Sequence, residues 1–193
     1  MGFKSLKILS AATALVLSTS ANAALIDNGD TTTDTDTGLI WLDLTETVGL
    51  SVHDFFADTG GYLSSGWSLA LGSQVDTLFV NAGVADPNVP DPNDAAVIDL
   101  LLSLLGQTGE NDGAFGTGYA DNGSGTFSLP LYWAWNNRPA INGSENCCYP
   151  PERAEVWLGL YLVMPTVIPL PAAVWLFGSG LIGLIGVARR KKS

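Results

Sequence analysis

His53 is the one histidine of a 193-residue chain, so catalysis of the Ser-His-Asp kind would have to run through it. Asp54 or Asp58 would orient the ring, and Ser51, Ser64 or Ser65 would supply the nucleophile. No nucleophile-elbow pattern accompanies them, and the sequence predicts instead a histidine on the exposed face of a short helix. Paired carboxylates for glycoside chemistry can be drawn almost anywhere in so acidic a chain, so their abundance decides nothing. Three Asp-rich segments, from Asp27 to Asp36, Asp86 to Asp94 and Asn111 to Asp121, supply the closely spaced oxygens that Ca²⁺ takes. Asp34, Asp36, Asp86, Asp91 and Asp94 are the candidate ligands, with a solvated acidic loop as the competing reading. Tyr132, Trp133, Trp135 and Trp157 suggest a platform on which the apolar faces of sugars could stack. Strand alternation would put Trp133 and Trp135 on one face. Core packing accounts for the same residues equally well and is the preferred reading.

These side chains need elements to hold them. Gly38 to Leu44 reads as a buried strand, with bulky apolar residues bounded by glycine and an acid. Ser51 to Ala57 reads as a short helix with Ser51 as N-cap and Asp54 completing a capping box. Gln74 to Asn81 has apolar residues at the spacing of one helix face, with Gly83 as its C-terminal cap. The segment from Asp86 to Asp94 carries three prolines and must be a loop. Asp94 to Leu105 is helical by its Leu content and the Gly106 stop, Gly106 to Gly125 reads as glycine-rich turns, and Thr126 to Trp135 and Ala154 to Val163 read as strands joined by a long irregular loop.

Charge is unevenly placed. Lys4 and Lys7 precede an apolar run from Ile8 to Leu17, and Ala21-Asn22-Ala23 has the small-x-small pattern of a signal peptidase site, with cleavage after Ala23. At the other end, Leu170 to Ala188 is uncharged and long enough to cover the roughly 30 Å of a bilayer core, and Arg189, Arg190, Lys191 and Lys192 follow it. The sequence thus divides into a signal peptide at 1–23, a domain at 24–165 and a tail at 166–193. The domain holds two arginines and all 19 acidic residues, a formal charge of −17. Nucleic acid is therefore repelled and divalent cations are attracted. Cys147 and Cys148 are adjacent and without a third cysteine; export would expose them to oxidising conditions. A vicinal disulfide that rigidifies the loop before Tyr149 is one reading, and bonds to other chains or free thiols are the others.

Val167-Ile168-Pro169-Leu170-Pro171-Ala172, the apolar stretch and the basic end together resemble the PEP-CTERM sorting signal in its VPLPA-type variant. That resemblance implies an exported protein processed by signal peptidase and an exosortase. It also implies an inner-membrane-tethered precursor that passes to the cell surface or extracellular matrix. Within the domain, Asp36-Thr-Gly-Leu-Ile-Trp41, Ser65-Gly-Trp-Ser-Leu-Ala70, Tyr132-Trp-Ala-Trp135 and Glu155-Val-Trp-Leu-Gly-Leu160 resemble the Lcl C-terminal, C-type-lectin-like family. The resemblance implies an α+β fold with two helices and a small twisted antiparallel sheet, to which the signal helix and a C-terminal transmembrane helix are added. Taken together, the expectation is a non-enzymatic binding or structural protein associated with extracellular polysaccharide or biofilm. The alternatives are a secreted enzyme acting on matrix polysaccharide and a Ca²⁺-dependent adhesion or carbohydrate-binding module.

Overall fold

The computed structural model describes residues 25–166 apart from 90, 124, 136–137 and 145–146, without the side chains of Pro92, Trp135, Arg138, Pro139, Cys147 and Cys148. The described residues form three α-helices and twelve strands, the strands arranged as two open sheets. The first sheet begins with two hairpins, β1 (Leu25–Asp27) to β2 (Thr31–Asp34) to β3 (Leu39–Leu42). Both turns are written in Asp and Gly. Asp27 Oδ1 accepts from Gly29 N at 2.8 Å, and Asp34 Oδ1 accepts from the amides of Asp36 and Thr37 while Gly38 adopts φ +68°. Such side-chain-to-backbone bonds stabilise a reversal in the way a backbone turn does, and glycine takes the positive φ without a Cβ clash. The last strand, β12 (Leu162–Pro165), returns to pair antiparallel with β3, Val163 opposite Trp41, and with the two-residue β4 (Ser68–Leu69) on its other side.

The second sheet is organised by β6 (Ala114–Asp121). Its first half pairs with β5 (Gly109–Glu110) and β8 (Leu131–Trp135), its second half with β7 (Phe127–Ser128) and, in parallel, β11 (Gly159–Leu160). The outer positions fall to β9 (Arg138–Asn142) beside β8 and β10 (Cys147–Tyr149) beside β7. The sequence reads this central strand as turns because it is rich in glycine. Those glycines answer tertiary crowding: a Cβ on Gly116 would lie 2.1 Å from the ring of Tyr132, and one on Gly118 would lie 2.8 Å from Leu44. Glycine inside a strand commonly marks such a close approach.

The three helices expected from the residues are present. α1 (Val52–Phe56) carries the reciprocal capping box, with Asp54 N bonded to Ser51 Oγ at 3.0 Å and Ser51 N to Asp54 Oδ2 at 2.9 Å. α2 (Gly72–Ala82) ends on Gly83 at φ +114°, and α3 (Ala95–Leu105) ends before Gly106. Between α2, α3 and the sheets lies a buried aromatic spine. Tyr161 meets Trp41 and Phe79 edge to face, Phe79 meets Tyr132 at 6.2 Å and 90°, and all four rings are 0–1 % exposed. Edge-to-face pairing places the positive ring edge against the negative face of its neighbour. The tyrosine hydroxyls are not stranded, because Tyr132 donates to Gly106 O and Tyr161 to Pro130 O.

Two expectations are corrected here. The fold implied by family resemblance, two helices beside one small antiparallel sheet, is replaced by three helices and two open sheets that include a parallel β6–β11 pair. The glycine-rich β6 and the polar β1–β2 hairpin are among the strands not expected. As for a transmembrane helix, among the described residues no helix is long and apolar enough to cross a membrane. α2 and α3, at 11 residues each, reach about 16 Å, half of what a bilayer core requires. The inner-membrane partner and the tethered-precursor localisation are corrected with it. The candidate segments themselves, Lys4 to Ala23 and Val167 to Lys192, lie outside the described residues.

Candidate functional site

An open cleft of about 520 Å³ lies on the second sheet. Its floor follows from strand register. Phe115 of β6 stands directly opposite Trp133 of β8, and the two rings meet at 6.1 Å and 64°. Phe115 also meets Trp157 at 6.3 Å and 68°, so it bridges two indoles that are 24 residues apart in sequence. Gly109 of β5 lies beneath: a Cβ there would be 2.3 Å from the Phe115 ring. Unlike the spine, these three aromatics are half-buried. Leu129, Leu131 and Tyr149 complete the apolar wall.

The polar groups of the cleft come from two turns. Glu110 and Asn111 stand on the β5–β6 hairpin, whose reversal places Asp112 at φ +52° and bonds Asn111 N to Gly113 O. Arg153 arrives from the loop after β10. Its guanidinium carbon lies 5.6 Å from the centre of the Trp157 ring, and its Nε donates to Glu155 Oε1 at 3.1 Å. The loop is fixed from below by Tyr119, whose hydroxyl donates to Pro150 O at 2.7 Å. Burial is the main cause that raises the Tyr119 hydroxyl above its ordinary pKa, with Glu152 and Glu155 adding to it and Arg153 opposing. A half-exposed apolar floor with a few convergent polar groups is the usual make-up of a small-ligand site.

The other candidate residues are placed apart from this cleft. His53 is exposed on α1, and the side chains of Ser51 and Asp54 are bonded to one another as the cap of that helix. Ser64 and Ser65 donate their hydroxyls to Gly61 O, and Asp58 Oδ1 accepts from Ser64 N. Asp34 is buried in the β2–β3 turn, where its second oxygen accepts from Asn81 Nδ2 at 2.9 Å; Asp36 is exposed beside it. Asp86 and Asp91 each accept from an amide two residues on, in the loop before α3. Asp94 is buried, and burial followed by the charge of Asp91 raises its pKa. Among the described residues no three His, Cys, Asp or Glu side chains converge on a point that could hold a metal ion. Cys147 and Cys148 lie in the backbone of β10, and the sorting-motif, basic-tail and cleavage residues lie outside the described ones.

Of the expected stacking platform, Trp133 and Trp157 line the cleft, whereas Tyr132 points into the spine, as alternation along β8 requires. The sequence reading missed Phe115, Tyr149, Arg153 and Glu110. The available signal was the alternation in Ala114-Phe-Gly-Thr-Gly-Tyr119, where Phe115, Thr117 and Tyr119 recur at period two with glycine between them. Compared with family models, curated proteins and solved structures, the chain finds no match in any of the three.

Proposed function

We propose that the domain is a non-enzymatic binding module whose aromatic cleft takes a segment of polysaccharide. The observation that carries this reading is the continuous set of half-buried rings Trp133, Phe115 and Trp157 beside hydrogen-bonding groups of Glu110 and Asn111. The apolar faces of sugar rings pack on aromatic rings while their hydroxyls need donors and acceptors at the rim.

Isothermal titration of the full chain against neutral and charged oligosaccharides tests the reading. A ligand whose affinity falls at least about tenfold in Trp133→Ala supports it. Unchanged affinity in that variant for every glycan that binds, or no binding by any of them, would sink it.

A further inference from the structure

Resting on that reading, we infer that the glycan taken by the cleft carries protonated amines, as an N-deacetylated amino-sugar polymer does. Charge complementarity is the first argument. The domain has a formal charge of −17; Glu110 lines the cleft, and Glu155 pairs with Arg153 at its edge. A polyanion such as a uronate chain is repelled by this field, a neutral chain is indifferent to it, and a polycation is drawn in.

The cleft also already holds a cation in the manner required. Arg153 places its guanidinium over the face of Trp157 with Glu155 beside it, an aromatic face and a carboxylate sharing one positive charge. Trp133 and Phe115 continue the aromatic surface toward Glu110. An ammonium on a sugar stacked there would meet the same two partners, since ring quadrupoles attract cations within about 6 Å. Arg153 then competes with the ligand for Trp157. It is not a recognition donor.

The test uses the full chain at about pH 5.5, where the amine is protonated, with a β-1,4-linked glucosamine hexamer, its N-acetylated counterpart and an oligogalacturonate. In roughly 20 mM salt the glucosamine hexamer is expected to bind at least about tenfold tighter than the acetylated one, and the galacturonate not at all. Raising the salt to about 0.3 M narrows the gap, because fields beyond roughly 10 Å are already screened at 0.1 M. Glu110→Gln narrows it at low salt. Arg153→Ala tightens binding of the amine ligand several-fold, the opposite of what loss of a recognition donor would do.

Trp157→Ala, or Trp157→Phe if the alanine variant does not fold, separates the site from bulk attraction. Amine binding that survives both replacements is adventitious polycation binding and overturns the inference. Equal affinity for the acetylated and free-amine hexamers, both lost in the Trp157 variants, overturns the amine preference and leaves the polysaccharide reading intact. Weaker amine binding in Arg153→Ala overturns the competition. If no glycan binds at the cleft, the polysaccharide reading fails with it.

Discussion

Two sets of aromatic rings use the same edge-to-face geometry for different ends. Trp41, Phe79, Tyr132 and Tyr161 are sealed between helices and sheets, and each hydroxyl of the two tyrosines is matched to a carbonyl. Phe115, Trp133 and Trp157 have centroid separations as short, 6.1 to 6.3 Å, but keep part of their surface in water. Ring contact alone therefore says nothing about role. What separates the sets is whether a helix covers them: α2 and α3 cover the first, while the turns around Glu110 and Arg153 only border the second. Burial of the first set contributes stability, and the incomplete burial of the second leaves apolar area for a ligand to cover.

The largest consequence of this contrast falls on the spine. Phe79→Ala removes a fully buried ring that touches both tyrosines and is expected to cost about 3–5 kcal/mol, read as a drop in the denaturant midpoint at constant m-value. Next comes the parallel strand pair. Gly159→Ala would place a Cβ 2.6 Å from the carbonyl oxygen of Leu44, which is backbone and cannot rotate away; a loss of about 1–3 kcal/mol is expected. Trp157→Ala should cost less than Phe79→Ala, because part of the Trp157 surface is in water already. Its thermal midpoint should move less than that of Phe79→Ala while glycan binding is lost. A Trp157→Ala protein that unfolds as readily as Phe79→Ala would erase the distinction between the two sets.

The smallest effect is electrostatic and lies away from both sets. Burial, then the charges of Asp27, Asp30 and Glu46, raises the pKa of Asp43 to about 6. A carboxyl that binds its proton more tightly when folded stabilises the fold below the unfolded value of about 4, and that contribution is lost as pH rises through about 6. After allowance for solvent screening the amplitude is about 1 kcal/mol. Asp54 and Asp58 carry the opposite sign: hydrogen bonds from Ser51 and Ser64 lower their pKa, so their contribution is present above the unfolded value and fades in acid. Asp43→Asn should flatten the stability profile between pH 4 and 6, measured by urea midpoints, and leave the acid limb in place.

What could be read from the sequence was what short-range chemistry decides. The Ser51–Asp54 cap and the Gly83 stop each act within a few residues and stand where the residues put them, whereas the proline segment before α3, expected to be all loop, closes in a 3₁₀ turn at Pro92–Asp94 under the Asp91 cap. β6 was not legible, because Gly116 and Gly118 look like turn residues until Tyr132 and Leu44 are brought against them. The cleft was half legible for the same reason. Alternation along β8 separates Trp133 from Tyr132, but nothing local to Phe115 or Arg153 tells that one will lie between two indoles and the other over one of them.

The most direct test of the division is the indole N–H region of the NMR spectrum of the full chain, with signals assigned by single Trp→Phe replacements, as glycan is added. Ligand entering the cleft should shift the Trp133 and Trp157 signals in proportion to saturation and leave that of Trp41, buried in the spine, in place. A saturable shift of Trp41 with Trp133 and Trp157 unmoved would contradict the account, as would the absence of any shift at a concentration where titration shows binding.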